Sequence, residues 1–353
     1  MYSWEHNIKK VTPYTPGEQP KKHNIIKLNT NENPYPPSPA AVKAIQEMNT
    51  DLLRRYPDPA ASLLVDAIAS EYGLNKEQVF VGVGSDEALA FAFLTCFHSK
   101  EPILFPDITY SFYDVWAQLY DIPFETIPLN EEFDILPQDY NRRNGGIIFP
   151  NPNAPTGKHM DLSAIEAIIE KNRDVIVIVD EAYIDFGGTS ALPLLEKYDN
   201  LLIAQTFSKS RSLAGMRIGY LMGNEQLIRY ILDVKYSFNS YTMNQTAIVA
   251  GAAAAADQEY FHKICQKIID TREWSQEQFQ RLGFEFWDSK SNFVFVTHPK
   301  KNAFSIFEQL KEAGIYVRHF KRPEKISNYL RITIGTQSEM EELFATLERI
   351  LEK

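Results

Sequence analysis

The stretch Thr206-Phe207-Ser208-Lys209-Ser210 places a lysine among hydroxyls, in a loop that also carries Gly215 and Arg217. A Ser-Lys pair alone reads as a solvated lysine, but here other reactive types recur at the ends of apolar runs. Val175–Val179 runs into Asp180-Glu181-Ala182-Tyr183, which sets a carboxylate at the carboxyl end of a buried strand. Open α/β sheets bind ligands at that edge, although Asp180 could equally cap a helix. Gly82-Val83-Gly84-Ser85-Asp86-Glu87 is a glycine turn from a strand into a helix. Amides at such a helix start attract anions, and glycine lets a phosphate approach the main chain. No Gly-Lys-Ser/Thr closes this turn and a third glycine is missing, so it is neither a Walker loop nor a dinucleotide fingerprint. Asn151-Pro152-Asn153-Ala154-Pro155-Thr156-Gly157 follows another apolar run, and its two prolines stiffen the turn that aims Asn153.

Taken together, these pieces answer the demands of pyridoxal 5'-phosphate. Its phosphate would use the Ser85 and Asp86 amides, Ser208 and a bidentate Arg217. Its pyridine nitrogen would use a buried carboxylate, Asp180, and its aldehyde the amine of Lys209. A free lysine titrates near 10.4, so Lys209 can work near neutrality only if its surroundings lower that value or hold it as a Schiff base.

The same residues carry a family resemblance over nearly the whole chain. Ser208-Lys209-x-x-x-Leu213-Ala214-Gly215-x-Arg217-x-Gly219-Tyr220 and Val179-Asp180-Glu181-Ala182-Tyr183 resemble the class II aminotransferases of fold type I. Leu28-Asn29-x-Asn31-Glu32-Asn33-Pro34 and Arg55-Tyr56-Pro57-Asp58 point to the narrower histidinol-phosphate aminotransferase family. The resemblance extends from Pro13-Tyr14-x-Pro16-Gly17 to Leu330-Arg331-Ile332-Thr333-Ile334-Gly335-Thr336.

It implies that Lys209 forms the Schiff base and moves the Cα proton, with Asp180 on the ring nitrogen and Asn153 and Tyr183 on the ring hydroxyl. Tyr110 would stack on the ring, and Thr206 would join Ser85, Asp86, Ser208 and Arg217 around the phosphate end. Tyr56 would reach the phosphate of a neighbouring subunit, which implies a homodimer with shared sites. On the substrate side, Arg331 would clamp a carboxylate, Arg318 and Tyr14 a phosphate, and Asn31 would also contact substrate. Asn292 would either contact substrate or cap a strand.

The implied reaction is ping-pong transfer from histidinol phosphate to 2-oxoglutarate, giving imidazole-acetol phosphate and glutamate in histidine biosynthesis. Rival readings are an aromatic aminotransferase, a phosphothreonine-type decarboxylase, and a catalytically silent binding protein on the same fold. Two departures bear on the substrate. Tyr236-Ser237-Phe238-Asn239-Ser240-Tyr241 has Ser237 in place of the family proline and an added Tyr241, near the expected substrate side chain, and Asp107-Ile108-Thr109 has Ile108 where proline is common.

The elements that must position these residues follow from periodicity. The apolar runs Val79–Gly82, Ile103–Phe105, Ile147–Phe149, Val175–Val179, Leu201–Ala204 and Ile218–Met222 alternate with helical patterns. Two of those patterns are one over Ser85–Phe97 with Ser85 as N-cap and another over Leu162–Lys171. Runs apolar on consecutive residues suit strands buried on both faces, as in a mainly parallel sheet between helices. The resemblance makes this the seven-stranded type of fold type I.

Ser38-Pro39 reads as a helix start, after an extended N-terminal arm. Beyond Asn244 a helical tract over Gln245–Arg281 precedes strand-like Phe284–Trp287, Asn292–Thr297, Ile315–Arg318 and Leu330–Ile334. The reading is a large α/β domain over 36–245 and a small α+β domain built from 1–35 and 246–353.

At 353 residues, with 44% hydrophobic content, the chain can bury such a core. Its 36 basic and 46 acidic side chains leave a net charge of −10, against a nucleic-acid footprint. Two cysteines, no membrane-length apolar run, no signal-like N-terminus and no metal-ligand spacing predict a cytoplasmic enzyme without a metal.

Overall fold

The computed structural model describes residues 3–20 and 25–352. Met1, Tyr2, residues 21–24 and Lys353, which the sequence assigns to the small domain, lie outside the described residues.

Along the large sheet the strand order is Val79–Val83, Ile218–Gly223, Leu201–Thr206, Val177–Asp180, Ile147–Pro150, Ile103–Pro106 and Phe124–Ile127. All neighbours pair in parallel except those of Ile218–Gly223, which runs antiparallel to both flanking strands. Consecutive side chains on a strand face opposite ways, and the core shows it. Leu201 and Ile203 enter one apolar cluster while Leu202 and Ala204 enter the other, on the opposite face. This accounts for runs that are apolar at every position. Phe124–Ile127 is the exception: an edge strand with two exposed residues, it shows no such run.

Helix starts are set by local chemistry. Ser38 caps the helix Pro39–Gln46 by accepting from the Ala41 N–H at 3.1 Å. The helix expected from Ser85 instead begins at Gly84, and Ser85 is not its cap. The Glu87 carboxylate reaches back to accept from the Val83 N–H at 2.6 Å. The long C-terminal tract divides into Gln245–Ala256 and Gln258–Arg281, because the Asp257 side chain turns to accept from the Tyr260 N–H. Gly251 lies in the first of these, where a Cβ would come within 2.8 Å of both Leu64 and Ile218.

A second sheet of four strands pairs Arg318–His319, Leu330–Thr333, Phe293–Thr297 and Glu285–Phe286. Its own apolar cluster includes Phe293, Val294, Ile332, Leu343 and Phe344. The expected single strand over Ile315–Arg318 serves two sheets. Ile315–Tyr316 pairs in parallel with Ile26–Lys27 of the N-terminal arm, and Arg318–His319 pairs with Leu330–Thr333. The arm is thereby joined to the C-terminal unit, and the following segment, residues 28–34, is carried to the end of the large sheet.

Candidate active site

Three strands of the large sheet deliver their last residues to one edge: Pro150, Asp180 and Thr206 all line a cavity of about 190 Å³. Its walls also include Ser85, Asp86, Tyr110, Tyr183, Ser208, Lys209 and Arg217. A second cavity of about 160 Å³ adjoins it, lined by Tyr14, Asn31, Thr109, Arg318 and Arg331. Thr30, Tyr110, Ala154, Tyr183 and Lys209 line both, so the lysine stands where the two meet.

At the helix end of the first cavity, Gly84 has φ +78° and a Cβ there would lie 2.3 Å from the Arg217 guanidinium. Arg217 itself is in the left-handed region, at φ 54°, a conformation that L residues seldom adopt and that concentrates at functional sites. Its Nη2 donates to Asp86 Oδ2 at 3.1 Å and its Nη1 to Ser208 Oγ at 3.4 Å. The Thr206 hydroxyl donates to Ser208 Oγ at 3.0 Å. Tyr110 donates to the other Asp86 oxygen at 2.7 Å. The first-turn amides of Ser85 and Asp86 have no carbonyl one turn earlier to bond within the helix.

At the opposite end, Asp180 is 4% exposed and burial pushes its carboxyl up to about 6. The Tyr113 hydroxyl donates to its Oδ2 at 2.8 Å and the Ala182 N–H to its Oδ1 at 3.2 Å, both opposing that rise. Between these ends Lys209 Nζ donates to the Thr30 carbonyl at 3.1 Å and lies 5.7 Å from the Tyr183 ring centre.

The segment after Ile26–Lys27 braces this lysine. Asn33 Nδ2 donates to the Lys209 carbonyl at 2.9 Å, and Asn31 Nδ2 to the Tyr183 hydroxyl at 2.9 Å. Asn31 also receives the Thr333 hydroxyl on its Oδ1, and Asn292 Nδ2 donates to its carbonyl. Asn31 therefore lines the second cavity with its amide already engaged, a brace more than a free substrate ligand.

In that cavity Tyr14 stacks on Phe112 with ring centres 4.2 Å apart. The Arg331 guanidinium lies 5.3 Å from the Phe293 ring and 5.5 Å from Phe320, with Arg318 also 5.5 Å from Phe320. Burial lowers the Arg331 pKa from its ordinary value. Its Nε and the Thr109 hydroxyl are buried with no hydrogen-bond partner. Such groups cost about 1–3 kcal/mol each unless a ligand satisfies them.

Two sequence-predicted residues sit elsewhere. Asn153 is buried, but its Nδ2 donates to the Ile108 carbonyl at 2.9 Å while its Oδ1 has no partner, and it does not line the first cavity. Tyr56 is 81% exposed and stacks on Tyr241 at 4.6 Å, outside both cavities. Neither Ser237 nor Tyr241 lines the second cavity of its own chain. The Ser237 hydroxyl donates to the Asp233 carbonyl in the last turn of the helix Glu225–Phe238. Ile108 is buried among Leu129, Phe133, Phe295 and Ile326.

Sequence reasoning assigned no role to Tyr113, Asn33, Thr30 or Thr333. Asn33 and Thr333 stand inside motifs that carry the family resemblance and were within reach; Tyr113 and Thr30 do not. The donors at a glycine turn, a buried carboxylate and a lysine between them fit pyridoxal phosphate, and on this sheet they define a pyridoxal-phosphate enzyme of fold type I.

Residues 23–347 match the family model described as aminotransferase class I and II, and the chain belongs to that family. It is a pyridoxal-phosphate-dependent aminotransferase, taking an amino donor and an oxo-acid acceptor. It is 52% identical over 340 residues to histidinol-phosphate aminotransferase 1 of Pseudomonas fluorescens, covering 96% of this chain and 97% of that one. The fold matches a histidinol-phosphate aminotransferase from Clostridium acetobutylicum with a TM-score of 0.86 at 20% identity, over 93% and 99% of the two chains. It also matches one from Sinorhizobium meliloti solved in complex with pyridoxal-5'-phosphate, with a TM-score of 0.81 at 24% identity, over 93% and 91%. Among the described residues, no helix is long and apolar enough to cross a membrane, and no cluster of His, Cys, Asp and Glu could hold a metal.

Proposed function

We propose that the enzyme transfers the amino group of histidinol phosphate to 2-oxoglutarate, giving imidazole-acetol phosphate and glutamate, in cytoplasmic histidine biosynthesis. The observation that carries this reading is the identity of 52%, nearly end to end, with a histidinol-phosphate aminotransferase. The second cavity supports it. Two guanidiniums and the Tyr14 hydroxyl converge beside Lys209, a donor set for a phosphate at one end and a carboxylate at the other.

When bound, pyridoxal phosphate supplies an aldehyde for the amine and a protonated ring that accepts the electron pair released at the substrate Cα. The chain does the rest. Ser85 and Asp86 offer backbone amides, and Ser208, Thr206 and Arg217 offer side-chain donors, for the phosphate. Asp180 keeps the ring nitrogen protonated, Tyr110 covers one ring face against water, and Tyr183 and Asn153 serve the ring hydroxyl. For Asn153 this requires its amide to turn from the Ile108 carbonyl. Lys209 would take the Cα proton on Nζ and deliver it to the former aldehyde carbon of the cofactor, with the Thr30 carbonyl and the Tyr183 face holding the amine in line. Arg331 takes the carboxylate of glutamate or 2-oxoglutarate, and Arg318 and Tyr14 take the phosphate of histidinol phosphate. Asn31 and Asn292 hold Tyr183 and the segment over the lysine.

We further propose a homodimer in which Tyr56 completes the partner's phosphate site. Tyr56, Tyr236, Phe238 and Tyr241 are all exposed on one chain, a concentration of aromatic surface typical of interface cores.

The reading is tested by turnover with histidinol phosphate, phenylalanine, tyrosine and phosphothreonine, each with and without 2-oxoglutarate. Histidinol phosphate is expected to give the highest kcat/KM, strictly dependent on the acceptor. Higher turnover of an aromatic amino acid, or carbon dioxide release without acceptor, overturns it. Lys209→Ala abolishes turnover in either case and separates an enzyme from a binding protein.

A further inference from the structure

The core around the large sheet contains a tyrosine hydroxyl, that of Tyr113, to which the roles above give no part. Tyr113 is fully buried, and burying a phenol without need is costly. Its ring is caged by Phe93, Phe105, Tyr110 and Trp116, whose ring centres lie 5.8–6.3 Å away. Its hydroxyl donates to Asp180 Oδ2 at 2.8 Å. Among the described residues no salt bridge to Asp180 occurs, so this phenol and one backbone N–H are the donors that hold the carboxylate. Burial holds the phenol itself well above its ordinary pKa, so it stays a donor. Tyr113 opens the helix Tyr113–Leu119 and its N–H bonds the Tyr110 carbonyl at 3.2 Å. One turn of chain thus carries both Tyr110, on the cavity wall, and the residue behind Asp180.

We infer that Tyr113 is a positioning residue that acts through Asp180, holding its carboxylate ionised and fixed for the pyridine nitrogen. The inference rests on Asp180 being the partner of that nitrogen. A buried carboxylate deprived of a donor takes up a proton or turns toward another partner, and either change weakens its pairing with a ring N–H. Phenylalanine at 113 keeps the caged ring and removes only the donor.

The test is a double-mutant cycle on the full chain, with Tyr113→Phe, Asp180→Asn and both together. Pyridoxal phosphate is titrated into each cofactor-free protein, and the dissociation constant and visible absorbance of each loaded protein are recorded. Tyr113→Phe alone is expected to raise the dissociation constant about tenfold, the size of one hydrogen bond to a charged group. It should also shift the visible band and lower kcat at nearly unchanged KM. In the Asp180→Asn background the same change should have no further effect beyond about twofold. Equal losses in both backgrounds, or an unaltered dissociation constant and spectrum in Tyr113→Phe, overturn the inference. Cofactor binding and turnover unharmed by Asp180→Asn alone overturn the role of Asp180 itself, a separate result.

Discussion

Asp180 and Glu181 are neighbours in sequence, and both are buried acids held against their own solvation. Burial pushes Asp180 up to about 6 and Glu181 up to about 7. Glu181 accepts from Ser190 Oγ and the Ala191 N–H at 2.6 Å, and from Gln205 Nε2 at 2.8 Å, and no cation pairs with it among the described residues. A folded-state pKa raised above the unfolded value means the folded protein keeps a proton that the unfolded chain has lost. Stability in the cofactor-free state therefore falls as pH rises from about 4 to about 7, through these two groups, and stays lowered above that. Asp180→Asn is expected to stabilise the cofactor-free protein at pH 8 by about 1–3 kcal/mol and to flatten this slope. The check is denaturant unfolding at pH 5 and pH 8, where an unchanged slope rules it out. The same substitution weakens cofactor binding, so the site trades stability for chemistry. Lys209, Asp180, Ser208 and Arg217 were legible one at a time because Asp180 directly follows an apolar run, Ser208 and Lys209 lie in the loop beyond one, and Arg217 directly precedes one. The direction of the Asn153 amide was not legible, since only the Ile108 carbonyl, folded against it, decides which atom faces where.

At the level of elements, the turn from Val79–Val83 into Gly84–Cys96 is pressed against the antiparallel strand Ile218–Gly223. A Cβ on Gly219 would sit 2.1 Å from the Ser85 nitrogen and 2.2 Å from the Gly84 carbonyl carbon. Gly219→Ala must push that turn away, and it should weaken cofactor binding at least tenfold while leaving far-ultraviolet dichroism near wild type. Undiminished binding in that variant would show that the turn can yield. Ser38→Ala removes a helix cap remote from the cavities and is expected to cost about 1 kcal/mol in denaturant unfolding, without touching kcat. Periodicity located the buried strands and the Ser38 cap. It could not see the edge strand Phe124–Ile127, whose outward residues need no apolar type. Nor could it see that Ile315–Arg318 divides between two sheets, because sheet membership depends on partners far along the chain.

For the whole molecule, the decisive prediction concerns subunits. If Tyr56 completes the partner's site, mixing Lys209→Ala with Tyr56→Ala protein after dissociation should restore activity, because each mixed dimer has one site free of both changes. Random pairing puts the ceiling at roughly a quarter of wild type. No recovery, with mixed dimers demonstrated by mass spectrometry, would place Tyr56 in its own chain's site or in none. The sequence by itself determined the chemistry on offer: an amine, a buried acid, an anion turn and Arg217, each at a position that local patterning could identify, with Arg318 and Arg331 marked only by the family resemblance. It also determined the alternation of strands and helices that a mainly parallel sheet requires, since burial on two faces writes itself into consecutive residues. Only the tertiary structure decided how these parts act on one another. Lys209 meets the Thr30 carbonyl and Asp180 meets the Tyr113 hydroxyl, separations of 179 and 67 residues. Local preference acts over a few residues and carries no record of such meetings. They are set by strand order and by the packing of the arm on the C-terminal sheet, which exist only once the chain has folded.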